Sequence, residues 1–229
     1  MKKVIAVIPV KSISERVSSK NFREFFDGDS LFDLLIKKLL KSSQIDKIYI
    51  SSNELSVKQK VENLGCHFIQ REEKFCNNNI PWSDVIAHIA ESIPEDNNTA
   101  IAWCHSTSPL FEDYDKAINM YKKSILDGKY DGLITVAELS EFIVSEKRQP
   151  INYSWGPWHR YSQFLEKMYT ITYALFIASK GEMIKNRYVI SKNPNFYIVP
   201  PIQALDIDSE YDFKLGQLLM KNKEYFKDD

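Results

Sequence analysis

Apolar positions along the chain fall into short continuous runs separated by longer stretches of helical spacing. Residues 4–10 (VIAVIPV) form an unbroken, β-branched run that stops at a polar loop, the pattern of a strand buried on both faces. Residues 30–42 carry apolar positions at helical intervals, with Ser30 placed to cap the first turn. The alternation then repeats. Strands are predicted at 47–51, 66–70, 99–104, 132–137, 168–178 and 197–200. Helices are predicted at 56–64, 84–93, 113–126, 181–185 and 209–221. Strands and helices in this rhythm predict an α/β fold with a mainly parallel sheet and helices on both faces. Ligands of such sheets bind beyond the C-terminal strand edges, where the segments after Val10, after Cys104 and around Asp206 are expected to meet.

Residues 138–167 break the rhythm with Pro150, Trp155, Gly156, Pro157 and Trp158, and are read as an arm leaving the sheet to pack on a second subunit. No repeat or linker divides the chain, so its 229 residues are expected to form a single domain. A formal net charge of −1 argues against a nucleic-acid or anionic-membrane partner. Cys66, Cys76 and Cys104 lack metal-ligand spacing and are odd in number, as expected of reduced thiols. The apolar start is too short for a membrane span of roughly 20 residues and has no small-residue cleavage site, so a soluble, cytoplasmic protein is expected.

Three polar segments could carry chemistry. Residues 11–21 (KSISERVSSKN) place Lys11, Arg16 and Lys20 among the neutral donors Ser12, Ser14 and Asn21, a set suited to a triphosphate. In isolation the segment also reads as a solvated loop, and the absence of GxxxxGK[ST] excludes a P-loop. Asp206-Ile207-Asp208 puts two carboxylates on one side of an extended segment, a donor pair suited to Mg²⁺. The same residues also read as the cap of the terminal helix, with Asp208 or Ser209 at its start. His105-Ser106-Thr107-Ser108-Pro109-Leu110 directly follows an apolar strand; it suits a ligand or, equally, a strand-ending turn.

Taken together, IPVKSISERVSSKNF, HSTSPL and ALDIDSEYDF resemble the acylneuraminate cytidylyltransferase family and its relatives that activate 3-deoxy-manno-octulosonate. The resemblance spans nearly the whole chain. It implies a Rossmann-like nucleotidyltransferase fold with an inserted dimerisation arm, CTP and a small anionic acceptor as substrates, Mg²⁺ as cofactor and a homodimer. It further implies that Lys11, Ser12, Ser14, Arg16, Lys20 and Asn21 bind the nucleotide, with Arg16, Lys20 and Asp208 catalytic. Asp206 and Asp208 would hold the metal, His105 would face the acceptor or the base, and Gln163 and Tyr173 would face the acceptor. Members acting on sialic acids carry an Arg-Gln pair and then an Asn-Gly-Ala strand; Ser162-Gln163 and Thr172-Tyr173-Ala174 stand there in this chain.

Overall fold

The computed structural model describes residues 3–11, 16–77 and 79–226. Ser12 and Ser14 therefore lie outside the described residues. The strands in chain order are β1 (Val4–Pro9), β2 (Glu24–Phe26), β3 (Asp29–Ser30), β4 (Lys47–Ser52), β5 (His67–Gln70), β6 (Ala100–Cys104), β7 (Gly132–Leu139), β8 (Met168–Ser179) and β9 (Pro194–Ile198). The helices are α1 (Leu31–Leu40), α2 (Lys58–Asn63), α3 (Trp82–Ser92), α4 (Tyr114–Leu126), α5 (Lys180–Asn186) and α6 (Glu210–Lys221).

Among the described residues the main sheet has seven strands in the order β5-β4-β1-β6-β8-β7-β9. β8 runs antiparallel to both its neighbours, while the other pairings are parallel, so the sheet is mixed and mostly parallel. β1 sits centrally and explains its own sequence. Val4, Ala6 and Ile8 enter one core with residues of α1, α2 and α4, while Ile5 and Val7 enter the other with α3 and Met183 of α5. A strand covered on both faces has no position left for a polar side chain.

Two departures from the sequence pattern have physical causes. The hairpin β2–β3 was not anticipated; Asp27 and Gly28 both adopt positive φ, the geometry of a tight Asp-Gly turn. The last strand covers Pro194–Ile198, earlier than expected, with Pro194 at its first position, where a missing N–H does least harm. Among the described residues β9 pairs only with β7, leaving Pro200 to open a 3-10 turn at Pro201–Ala204. The segment 138–167 does leave the sheet: β7 extends to Leu139, then an isolated bridge joins Val144 to Pro150 and two 3-10 turns follow. Trp155, Trp158, Tyr161 and Phe164 are exposed there.

At the N-terminal edge of the sheet, Glu95 accepts hydrogen bonds from Lys3, Lys47 and the Tyr49 hydroxyl. The Lys3 and Lys47 bonds hold its carboxyl down at about 2, against opposing burial and with help from Tyr49. A depressed carboxyl stabilises the fold above the ordinary glutamate value of 4.5, and that contribution fades as pH falls toward 2. Wild type is therefore expected to lose denaturant resistance across that window more steeply than Glu95→Gln. Urea midpoints measured against pH would test this; parallel acid limbs would refute it.

Candidate active site

A cleft of about 690 Å³ opens beyond the C-terminal ends of β1 and β6. Two of its walls come from the segments singled out by sequence: Lys11, Arg16, Lys20 and Asn21 from one, and His105, Ser106 and Thr107 from the other. The third segment meets the first through charged contacts. Arg16 Nη2 donates to Asp208 Oδ1 at 2.7 Å, and Lys20 Nζ lies 3.5 Å from the same oxygen while donating to the Ile207 carbonyl. Residues separated by nearly the whole chain thus form one ionic cluster.

A small apolar core fixes this meeting. Ile207 is fully buried with Val17, Phe25, Leu31 and Phe213, so the residue between the aspartates and a residue of the cationic loop share one cluster. The Ile207 N–H also donates to the Thr107 carbonyl at 2.8 Å, tying the aspartate segment to the loop after β6. Asn21 supplies a further brace: its Oδ1 accepts from Ser106 Oγ at 2.8 Å and its Nδ2 donates to the Lys11 carbonyl at 3.4 Å. Its amide is therefore engaged in joining two loops.

The question of what caps α6 is resolved by geometry. Ser209 is the N-cap and forms a capping box with Asp212, whose carboxylate also accepts from the Asp208 N–H. Capping leaves the Asp206 and Asp208 side chains for other work. Burial raises the Asp206 carboxyl above its ordinary value and the Asp208 charge adds to this, against a Thr107 hydrogen bond and the positive Lys20 and Arg16. Asp206 Oδ1 is buried with no hydrogen-bond partner among the described residues. An orphaned carboxylate oxygen beside a second carboxylate fits a hard divalent cation. No group of three or more His, Cys, Asp or Glu that could hold a metal occurs among the described residues. A pair is the donor set expected where water and phosphate oxygens complete an Mg²⁺ octahedron.

Arg71 and Trp82 are among the lining residues that were not anticipated. Arg71 follows β5 and is buried; its Nη2 donates to the Val10 carbonyl and its Nε to Cys76 Sγ at 3.1 Å, fixing a cation in the cleft wall. A cation directly after a strand was the available signal. Trp82, at the start of α3, was hidden because the helix was expected to begin two residues later, whereas Pro81 opens it. All three cysteines are free and buried, as expected of reduced thiols.

His105 lines both the cleft and an adjoining niche of about 130 Å³ walled by Trp82, Ile171, Tyr173, Phe176 and Tyr188. Burial lowers the His105 pKa to about 4, and the charge of Lys20 acts in the same direction. Tyr173 also borders this niche, whereas Gln163 occupies an exposed 3-10 turn in the 138–167 segment and is not among the lining residues.

The cytidylyltransferase family model matches residues 5–176, most of the chain and nearly the whole sheet. The chain belongs to the cytidylyltransferase family. It is 26% identical over 233 residues to the N-acylneuraminate cytidylyltransferase of Escherichia coli O18:K1:H7 (strain RS218 / NMEC), covering 99% of this chain and 54% of that protein. The chain thus spans about half the length of that relative. A solved structure described as CMP:2-keto-3-deoxy-manno-octonic acid synthetase complexed with CTP superposes with a TM-score of 0.67 at 13% identity, over 97% of this chain and 100% of that one. A structure of 4-diphosphocytidyl-2C-methyl-D-erythritol synthase gives 0.65 at 11% identity, over 96% and 100%. These likenesses establish a Rossmann-like cytidylyltransferase fold.

Tyr173 departs from the glycine of the sialic-acid members, and its φ of 54° lies in the left-handed region. It falls within an irregular stretch of the β7–β8 pairing. A bulky residue there carries roughly 1–2 kcal/mol of backbone strain. Tyr173→Gly is expected to leave stability within about 1 kcal/mol of wild type, strain relief offsetting added chain entropy. Tyr173→Val should lose about 1–2 kcal/mol, since β-branching worsens the same clash. Denaturant midpoints would check the order; a Val variant as stable as the Gly variant would contradict it.

Proposed function

We propose that this chain is a CTP-dependent cytidylyltransferase that moves CMP from CTP to a sugar acid or other small anionic acceptor and releases pyrophosphate, supplying surface-glycan biosynthesis. The observation that carries this reading is the pairing with Asp208 of Arg16 and Lys20, two cations that line a cleft on the sheet's C-terminal edge. Cations gathered on a carboxylate can turn toward phosphate oxygens when nucleotide and metal enter.

In this reading Lys11, Arg16 and Lys20 hold the triphosphate, with Ser12, Ser14 and Asn21 beside them, and Arg71 adds a fixed positive charge. An acceptor hydroxyl oxygen attacks the α-phosphorus of CTP, the bond to the bridging oxygen breaks, and pyrophosphate leaves with that electron pair. The hydroxyl proton passes to solvent. Arg16 and Lys20 act catalytically by lowering the charge that builds on the phosphoryl oxygens, and Asp208 orients both cations. Asp206 and Asp208 would hold Mg²⁺, which when bound supplies Lewis-acid neutralisation of phosphate charge.

His105 and Tyr173 flank the acceptor in the niche beside the cleft. Gln163 sits on the 138–167 arm, so its acceptor role requires a homodimer in which the arm of one copy reaches the cleft of the other. The exposed Trp155, Trp158 and Phe164 support that assembly. Two of the similar proteins are named for sugar acids, which supports the same acceptor class here.

Pyrophosphate release from CTP and Mg²⁺ is expected with at least one of N-acylneuraminate, 2-keto-3-deoxy-manno-octonic acid or a related sugar acid. CTP should raise the melting temperature more than UTP, GTP or ATP, by preferential binding to the folded state. The Asp206→Asn/Asp208→Asn double variant should lose at least ~100-fold of turnover. Undiminished turnover in that variant would remove the metal assignment, and equal stabilisation by all four nucleotides would remove the preference for CTP.

A further inference from the structure

His105 owes its chemical state to a neighbour outside the cleft. Trp103 is fully buried in β6, and its indole Nε1–H donates to His105 Nε2 at 3.1 Å. An indole nitrogen can only donate, so Nε2 must present its lone pair, and the proton of the neutral ring must reside on Nδ1. Protonating Nε2 would set two N–H donors against each other. The surroundings oppose it too: the rings of Trp82, Tyr173 and Phe176 lie 6.0–6.3 Å from the imidazole, and the nearby charge is the cation Lys20. Among the described residues Nδ1 has no hydrogen-bond partner, although His105 lines both the cleft and the niche.

We propose that Trp103 is a positioning residue that locks His105 as the neutral Nδ1–H tautomer, so that His105 meets the acceptor as a hydrogen-bond donor and not as a base. The inference rests on reading the cleft and niche as a nucleotide–acceptor site. It names what the acceptor must offer there: an oxygen lone pair from a carboxylate, carbonyl or hydroxyl. It also accounts for an imidazole in a transferase whose acceptor proton goes elsewhere, because Nε2 is already engaged and Nδ1 already protonated.

Long-range ¹H–¹⁵N spectra of the full chain labelled with ¹⁵N-histidine read the tautomer directly. His105 is expected to show the Nδ1–H pattern, unchanged from roughly pH 8 to pH 6. Trp103→Phe should shift the ring toward the Nε2–H form, because the donor that holds the Nε2 lone pair is gone. An Nε2–H ring or an imidazolium at about pH 6 in wild type would overturn the proposal. Should Trp103→Phe fail to fold, kinetics supply the second arm. His105→Leu should raise the KM for a turned-over sugar acid roughly three- to tenfold without moving the KM for CTP. His105→Gln, which restores a neutral donor, should recover most of that loss. Equal defects in both variants, or a matching rise in the CTP KM, would overturn it. The spectra need no turnover, so absence of pyrophosphate release would sink the transferase reading while leaving the tautomer result decisive.

Discussion

The site depends on the burial of Ile207. Alternation along an extended segment sends Ile207 into the cluster of Val17, Phe25, Leu31 and Phe213 and leaves Asp206 and Asp208 flanking it. The same cluster contains a residue of the cationic loop, so one apolar contact sets the distance between the carboxylates and Arg16 and Lys20. Burying such a side chain contributes about 1.5–3 kcal/mol, more than an exposed ion pair would. The ionic cluster can therefore rearrange around a ligand while the hydrophobic contact keeps its members in place. Asp208 is half-exposed and Arg16 more so, as suits pairs that must exchange partners.

Braced parts surround these charges. Arg71 is tied to the Val10 carbonyl and Cys76, Asn21 bridges Ser106 and Lys11, and the Ile207 N–H is fixed to Thr107. Each brace joins segments from different parts of the chain. Such preorganisation matters for a transfer that depends on placement and charge more than on a covalent step.

What the sequence made legible was local. The unbroken apolar run of β1, the hydroxyl-rich turn after β6 and the alternation through Ile207 each declare themselves within a few residues, and all three meet at one sheet edge. Arg71 carried a local signal, a cation directly after a strand, but that it and Trp82 share one site follows only from the topology, which brings the end of β5 and the start of α3 to that edge. The reversal of β8 was equally hidden, since strand direction depends on how the connection returns and not on side-chain period. Asn21 was legible as polar but not as a brace, for its partner Ser106 is remote in sequence. The hairpin at Asp27-Gly28 did have a local signal, which the surrounding charged residues obscured.

Gly216 lies within α6 and is buried. A methyl group there would come within 2.8 Å of Phe25 and 3.0 Å of Ile207. Glycine inside a helix gives up about 1 kcal/mol relative to alanine, and here it lets the terminal helix rest directly on the residue between the two aspartates. The helix therefore acts as a backstop whose standoff is set by the missing side chain. A side chain at position 216 would thus press on the seat of Ile207 and, through it, on the spacing of the two aspartates.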